Sequence, residues 1–143
     1  VNPNNHWRMR IAYYNDTLKD VKFAMANTEF PASLADWTVS TVDSAGDVGK
    51  YVSLAMSPET DNWHLCYYDE TYGDLRYAFW NGAVWANEIV DSAGDVGKYC
   101  SIDVNGLGEP AISYYDAFLG NLKYATTFDM PLARLYIPIV EKE

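Results

Sequence analysis

VDSAGDVGKY occupies residues 42–51, and the same ten residues return at 90–99, 48 positions later. Extended without a gap, WANEIVDSAGDVGKYCSI (85–102) lies on WTVSTVDSAGDVGKYVSL (37–54). Beyond the decapeptide, LCYYDETYGDLRYA (65–78) lies on ISYYDAFLGNLKYA (112–125) and on IAYYNDTLKDVKFA (11–24). The unit therefore occurs about three times in 143 residues, its first interval lengthened by MANTEFPASLAD ahead of Trp37. A period near 48 residues implies repeated supersecondary units that bury a common core by stacking on their neighbours.

Within one period four stretches have strand character, bounded by turn residues: KYVSLAM (50–56), WHLCYYD (63–69), DLRYAFW (74–80) and AVWANEIV (83–90). Asn81-Gly82 between the last two predicts a two-residue type I′ hairpin, and Gly73 supplies a left-handed position between the second and third. No stretch carries apolar residues at a 3.6-residue period over ten or more positions, so the chain reads as all-β. Four antiparallel strands per unit resemble the blade of a β-propeller, and the YYD-x-x-x-G-D/N-L-K/R-Y-A units are similar to those of secreted bacterial, lectin- or sialidase-like propellers. The resemblance covers residues 7–125; the WD dipeptide and the sialidase S-x-D-x-G-x-T-W box are absent.

With the strands labelled a to d from the inside outward, the b–c turn and the d-to-a crossover fall on the same rim. The decapeptide is then the crossover from one blade to the next. Gly46, Gly49, Gly94 and Gly97 supply its unusual backbone conformations, and Asp43, Asp47, Asp91 and Asp95 cap its turns. The competing reading is a calcium site, since Asp43 and Asp47 with Asp69 and Asp74, and Asp91 and Asp95 in the second copy, crowd oxygen ligands onto one rim. Lys50 and Lys98 offer neutralisation without a metal.

The paired tyrosines Tyr13-Tyr14, Tyr67-Tyr68 and Tyr114-Tyr115 put one ring on each face of a blade. Both rings can be core. The functional alternative takes Tyr14, Tyr68 and Tyr115, with Asn15, Asp69 and Asp116 immediately after them, as ligand-binding residues, because sugars need aromatic faces and hydroxyl acceptors. Trp37 and Trp85 are equivalent and read as packing residues, whereas Trp80 has no copy and is a candidate contact at the opposite end of the blade.

Twenty acidic against ten basic residues give a net charge of −10, which argues against nucleic acid and anionic membrane surfaces as partners. The longest apolar run, LYIPIV, falls far short of the roughly 20 residues that span a bilayer. The chain opens VNPNN without an initiator Met, as a processed or expressed segment does, and a secreted or extracellular location is expected. Cys66 and Cys100 read first as small buried thiols, with a disulfide as the alternative. The conspicuous carboxylates recur in every unit, which favours scaffold or repeated binding over a catalytic centre, and no nucleophile, phosphate-loop or dinucleotide motif is present.

The expected organisation is a single repeat domain over 1–143: a partial blade at about 5–42, blades at about 43–90 and 91–130, and a C-terminal strand at about 133–141. About three blades fall short of the roughly four to eight of known propellers, so completion by a second copy is expected, a homodimer being favoured. The expected function is a non-catalytic module that binds carbohydrate at repeated sites, with an architectural or protein-interaction segment as the alternative and a glycosidase or lyase fragment behind both. No cofactor is expected beyond the calcium alternative.

Overall fold

The described part of the computed structural model comprises residues 8–57, 59–127 and 135–140. The edges of the expected partial blade, of the blade at 91–130 and of the tail strand that fall on 5–7, 128–130, 133–134 and 141 lie outside the described residues. Strands β1 (Arg10–Asn15), β2 (Asp20–Ala26) and β3 (Trp37–Asp43) form a first antiparallel sheet. Strands β4 (Val48–Met56), β5 (Trp63–Asp69), β6 (Asp74–Trp80) and β7 (Trp85–Asp91) form a second. The third holds β8 (Val96–Val104), β9 (Pro110–Asp116), β10 (Asn121–Thr126) and β11 (Leu135–Val140) in the order β11-β10-β9-β8. The all-β expectation holds, and each sheet is a meander in chain order. The described residues form these three sheets and no closed ring.

The sheets pack face to face, which follows from strand alternation: of the paired tyrosines, Tyr67 and Tyr114 turn to the sheet before, and Tyr14 and Tyr68 to the crossover after. One core joins Val21, Phe23 and Val42 of the first sheet to Val48, Leu65, Tyr67 and Ala78 of the second. The other joins Cys66, Leu75 and Val90 to Val96, Ile102, Ile112, Tyr114 and Ala125. Between the sheets runs the decapeptide. Val48 N–H donates back to Lys19 C=O at 3.1 Å, while Asp47 C=O accepts from Glu70 N–H of the next sheet at 2.8 Å. Val96 N–H to Gly73 C=O (2.9 Å) and Ala117 N–H to Asp95 C=O (2.8 Å) repeat the pattern. Each crossover thus laces two successive b–c turns together, which is why the same ten residues are needed twice.

Gly49 and Gly97 let this junction close. At φ +112° and +106° they bring the inner strand so near the previous sheet that a Cβ on Gly49 would lie 2.7 Å from Val21 Cβ, and one on Gly97 2.7 Å from Leu75 Cα.

Two local expectations are corrected. Trp80 pairs with Trp85, so Asn81–Val84 form a four-residue loop rather than a two-residue turn. Asn81 Oδ1 accepts from Ala83 and Val84 N–H, both at 3.0 Å, and this side-chain cap replaces the type I′ geometry. Cys66 and Cys100 are not thiols: they form a disulfide between β5 and β8, Cα atoms 6.2 Å apart.

Candidate functional site

The residues singled out in the sequence gather at two opposite ends of the sheets. At the crossover rim, Tyr67 Oη donates to Asp43 Oδ2 (2.8 Å), Arg76 Nη1 reaches the same oxygen (3.0 Å), and Arg76 Nε meets Asp69 (2.7 Å). Tyr114, Asp91, Lys123 and Asp116 repeat the chain at 2.8, 3.1 and 3.0 Å. Burial, with Asp43 next, holds the Tyr67 phenol far above its ordinary range, so it stays protonated and donates. Asp91 lies below the usual carboxylate range although burial opposes this, because the Ala93 N–H, Tyr114 and Lys123 all favour its charged form.

Asp69 and Asp116 are 0% exposed. Besides their cation partners they accept turn N–H groups, from Thr71 at 2.9 Å and from Leu119 at 2.9 Å. Asn15 does the same for Thr17 and Leu18, both at 3.1 Å. The two aspartates expected to receive a ligand's hydroxyls are thus engaged by turn N–H groups and by the neighbouring cations. Tyr14 and Tyr68 are likewise engaged, donating to Asp47 and Asp95 at 2.7 Å each. Tyr115, the third of the series, is 39% exposed.

The carboxylates weighed as calcium ligands have partners in the same network. Asp43 and Asp91 lie in the tyrosine–cation chains, Asp95 is held by Lys98 at 2.6 Å, and Asp47 lies 3.9 Å from Lys50, which also pairs with Glu70. Among the described residues no three acidic, histidine or cysteine side chains come together in a way that could hold a metal ion.

The other end of the sheets is open. Trp63 pairs with Trp80, and Trp80 with Trp85, so the three indoles form a row across β5, β6 and β7 facing the first sheet. Opposite stand Phe23, Met25, Thr38 and Ser40, and the two walls enclose a cleft of about 140 Å³. Phe23 packs edge-on to Trp85 at 5.3 Å and tilted to Trp63 at 5.7 Å, while the Arg10 guanidinium lies 5.3 Å from the Trp63 ring centre. All three indoles are half-buried, leaving ring surface accessible.

A register-matched cleft lies between the second and third sheets. Tyr77 takes the place of Phe23, Phe79 of Met25, Ala86 of Thr38 and Glu88 of Ser40; Pro110 and Thr127 replace Trp63 and Trp80. Its two parts measure about 360 and 110 Å³. His64 takes the place of Arg10. It is buried between Ser57 Oγ at Nε2 and Tyr77 Oη at Nδ1, both at 2.7 Å, and burial lowers its pKa to about 4. The register position that sets the Arg10 guanidinium against Trp63 in the first junction thus holds a neutral imidazole in the second, whose cleft is also lined by Glu88. Of the expected site residues, Trp80 alone lies at this end. Trp63, Trp85, Phe23 and Ser40 were missed, although a tryptophan closing one predicted strand and opening its two neighbours implies the row.

No protein-family model matches the chain, and no curated protein sequence does. Among solved structures, a fucose lectin from Kordia zhangzhouensis in complex with methyl-fucoside superposes with a TM-score of 0.59, over 94% of this chain and 92% of that one, at 10% identity. The two chains share a fold. At that identity the likeness concerns the backbone arrangement, so the chemistry of the clefts is argued from their own residues.

Proposed function

We propose that this chain is a non-catalytic carbohydrate-binding module, taking one terminal sugar ring in each cleft between neighbouring sheets of a propeller-type array. The observation that carries the reading is the row Trp63, Trp80 and Trp85 facing Phe23 across the cleft. Half-buried indoles present flat apolar surface to the C–H face of a sugar, and the Ser40 hydroxyl and the accepting oxygens of Thr38, which donates to Asn27, and of Asn87 in the second cleft, which donates to Val42 C=O, offer partners for ring hydroxyls. A volume of about 140 Å³ is below the ~300–1,000 Å³ of pockets that enclose larger ligands, which suits a single ring. The likeness in fold to a fucose lectin supports the same class of ligand and makes a 6-deoxyhexose the first to try. Shallow sites repeated in one assembly gain strength through avidity on a multivalent glycan surface.

An oxidising, extracellular setting accords with the Cys66–Cys100 bridge. The array closes by self-association of two chains into about six sheets. The test is a glycan panel read with wild-type protein and with Trp80→Ala, whose half-buried ring can be removed while the sheets stay folded. Binding to fucosylated or other terminal sugars that falls at least tenfold in the variant is expected; a panel with no binder overturns the reading.

A second reading has one observation behind it. The tips of the three b–c turns carry exposed apolar side chains at matched positions, Leu18 (63%), Tyr72 (70%) and Leu119 (56%), with Phe118 (74%) beside the last. Such a rim suits a protein partner, and it predicts that Tyr72→Ser abolishes partner capture while sugar binding is unchanged.

A further inference from the structure

Resting on the propeller reading, we propose that the two outermost sheet faces of this chain are the two halves of one head-to-tail interface, and that each is covered by a second copy of the chain. The observation is a comparison of register-matched positions. Leu65 and Ile112, which face a preceding sheet, are 0% and 4% exposed; Ile11, the same position in the first sheet, is 46% exposed. Tyr67 and Tyr114 are 0% and 1% exposed, against 36% for Tyr13. At the other end of the stack Val21 and Leu75 are covered by the sheet that follows and are 0% exposed, while Leu122 is 40% exposed. Tyr68 and Tyr115 give 4% and 39% in the same comparison. The chain makes one type of junction twice and leaves one half of it at each end.

The polar groups carry the same polarity. At both internal junctions a tyrosine and a cation on the later sheet meet an aspartate closing the earlier one: Tyr67 and Arg76 on Asp43, Tyr114 and Lys123 on Asp91. The first sheet presents the later-type half, Tyr13 and Lys22, the latter paired with Asp20 of its own strand at 2.7 Å. The third sheet is of the earlier type. Val140 pairs with Leu122 as Asp43 pairs with Val21 and Asp91 with Leu75, so the position that carries the aspartate at both internal junctions is a valine here, and the match of this half is in its apolar positions. An earlier-type face does not match another earlier-type face. It matches a later-type one, so the contact is heterologous, and two copies close it.

Ile11→Glu and Leu122→Glu each put a charge on one half, at positions exposed enough for the single chain to tolerate it. Light scattering on the full chain is expected to give twice the 16.2 kDa chain mass for wild type, and the single mass for each variant alone with an unchanged circular dichroism spectrum. An equimolar mixture of the two variants, one carrying a tag, is expected to recover a mixed dimer, because one intact half remains on each. A wild-type protein that stays at one chain mass at high concentration overturns the proposal and assigns the faces to other cover, such as further repeats in a longer chain. A dimer that survives either single variant overturns it as well, since each face then mates with itself. Both internal clefts lie within one chain, so sugar binding measured on the monomeric variants separates failure of the docking from failure of the binding reading.

Discussion

The disulfide between β5 and β8 is the covalent staple of the junction between the second and third sheets, and its contribution can be worked out from the structure. Cys66 and Cys100 are separated by 34 residues and are 0% and 7% exposed. Closing a loop of that length in the unfolded chain removes about 13 cal/mol/K, or roughly 4 kcal/mol at 25 °C. The protein supplies its own control: at the junction between the first and second sheets the matched residues are Ala12 and Val52, which pack against the core there without a bond. Replacing Cys66→Ala together with Cys100→Val therefore installs a pair this fold already accommodates, and the loss reads the cross-link more than a cavity. A chain of this length has an unfolding entropy of about 0.3 kcal/mol/K, so the expected drop in Tm is about 13 °C. Scanning calorimetry with and without reductant is the assay. Wild type should fall by a similar amount on reduction and the double variant should not respond. A drop below about 3 °C in both experiments would refute the argument that the bridge stabilises by restricting the unfolded chain.

Gly97→Ala forces a Cβ to within 2.7–2.9 Å of the Leu75 backbone at a φ of +106°, so a loss of about 3 kcal/mol or more is expected in urea unfolding, against under about 0.5 kcal/mol for Gly106→Ala, which has open space around it. His64 is neutral in the fold, with a pKa of about 4 against 6.5 unfolded, so its contribution is present above pH 6.5 and is lost as pH falls toward 4. Between pH 7.5 and pH 5 that loss is about 2 kcal/mol, and His64→Gln should flatten this part of the pH–stability curve; an unchanged slope would dissociate the buried imidazole from acid lability.

How much of this was legible in the sequence depends on what each residue must satisfy. Strands β5 and β6 coincide with the stretches read from WHLCYYD and DLRYAFW, because alternation and bounding turns are local signals. The crossover was legible because a junction that threads backbone past backbone tolerates few sequences, and the same one appears twice. The four-residue loop at Asn81 was not, since Asn-Gly fits several turns and its flanking tryptophans select the pairing. The disulfide was not, since two cysteines 34 residues apart acquire a distance only when the sheets stack. For Asp69 and Asp116 a related limit holds: a carboxylate after an aromatic pair reads as a ligand partner, and the cation on the neighbouring strand that lies against it is seen only in the fold.

The internal repeats also separate scaffold from site. At the crossover end the matched positions are nearly invariant within the chain: Tyr13, Tyr67 and Tyr114; Tyr14, Tyr68 and Tyr115; Lys22, Arg76 and Lys123; Val48 and Val96; Gly49 and Gly97. At the cleft end they diverge: Arg10, His64 and Ala111; Met25, Phe79 and Thr126; Ser40 and Glu88; Trp63 and Pro110. A junction has one geometric task, so its copies stay alike. Clefts that had only to fill space would be under the same pressure toward like side chains, yet here a cation, a neutral imidazole and a methyl group occupy one register position. The divergence gathers at the tryptophan end, the end to which the proposed function assigns the ligand, and it is there that variants would read any difference in selectivity between the two clefts.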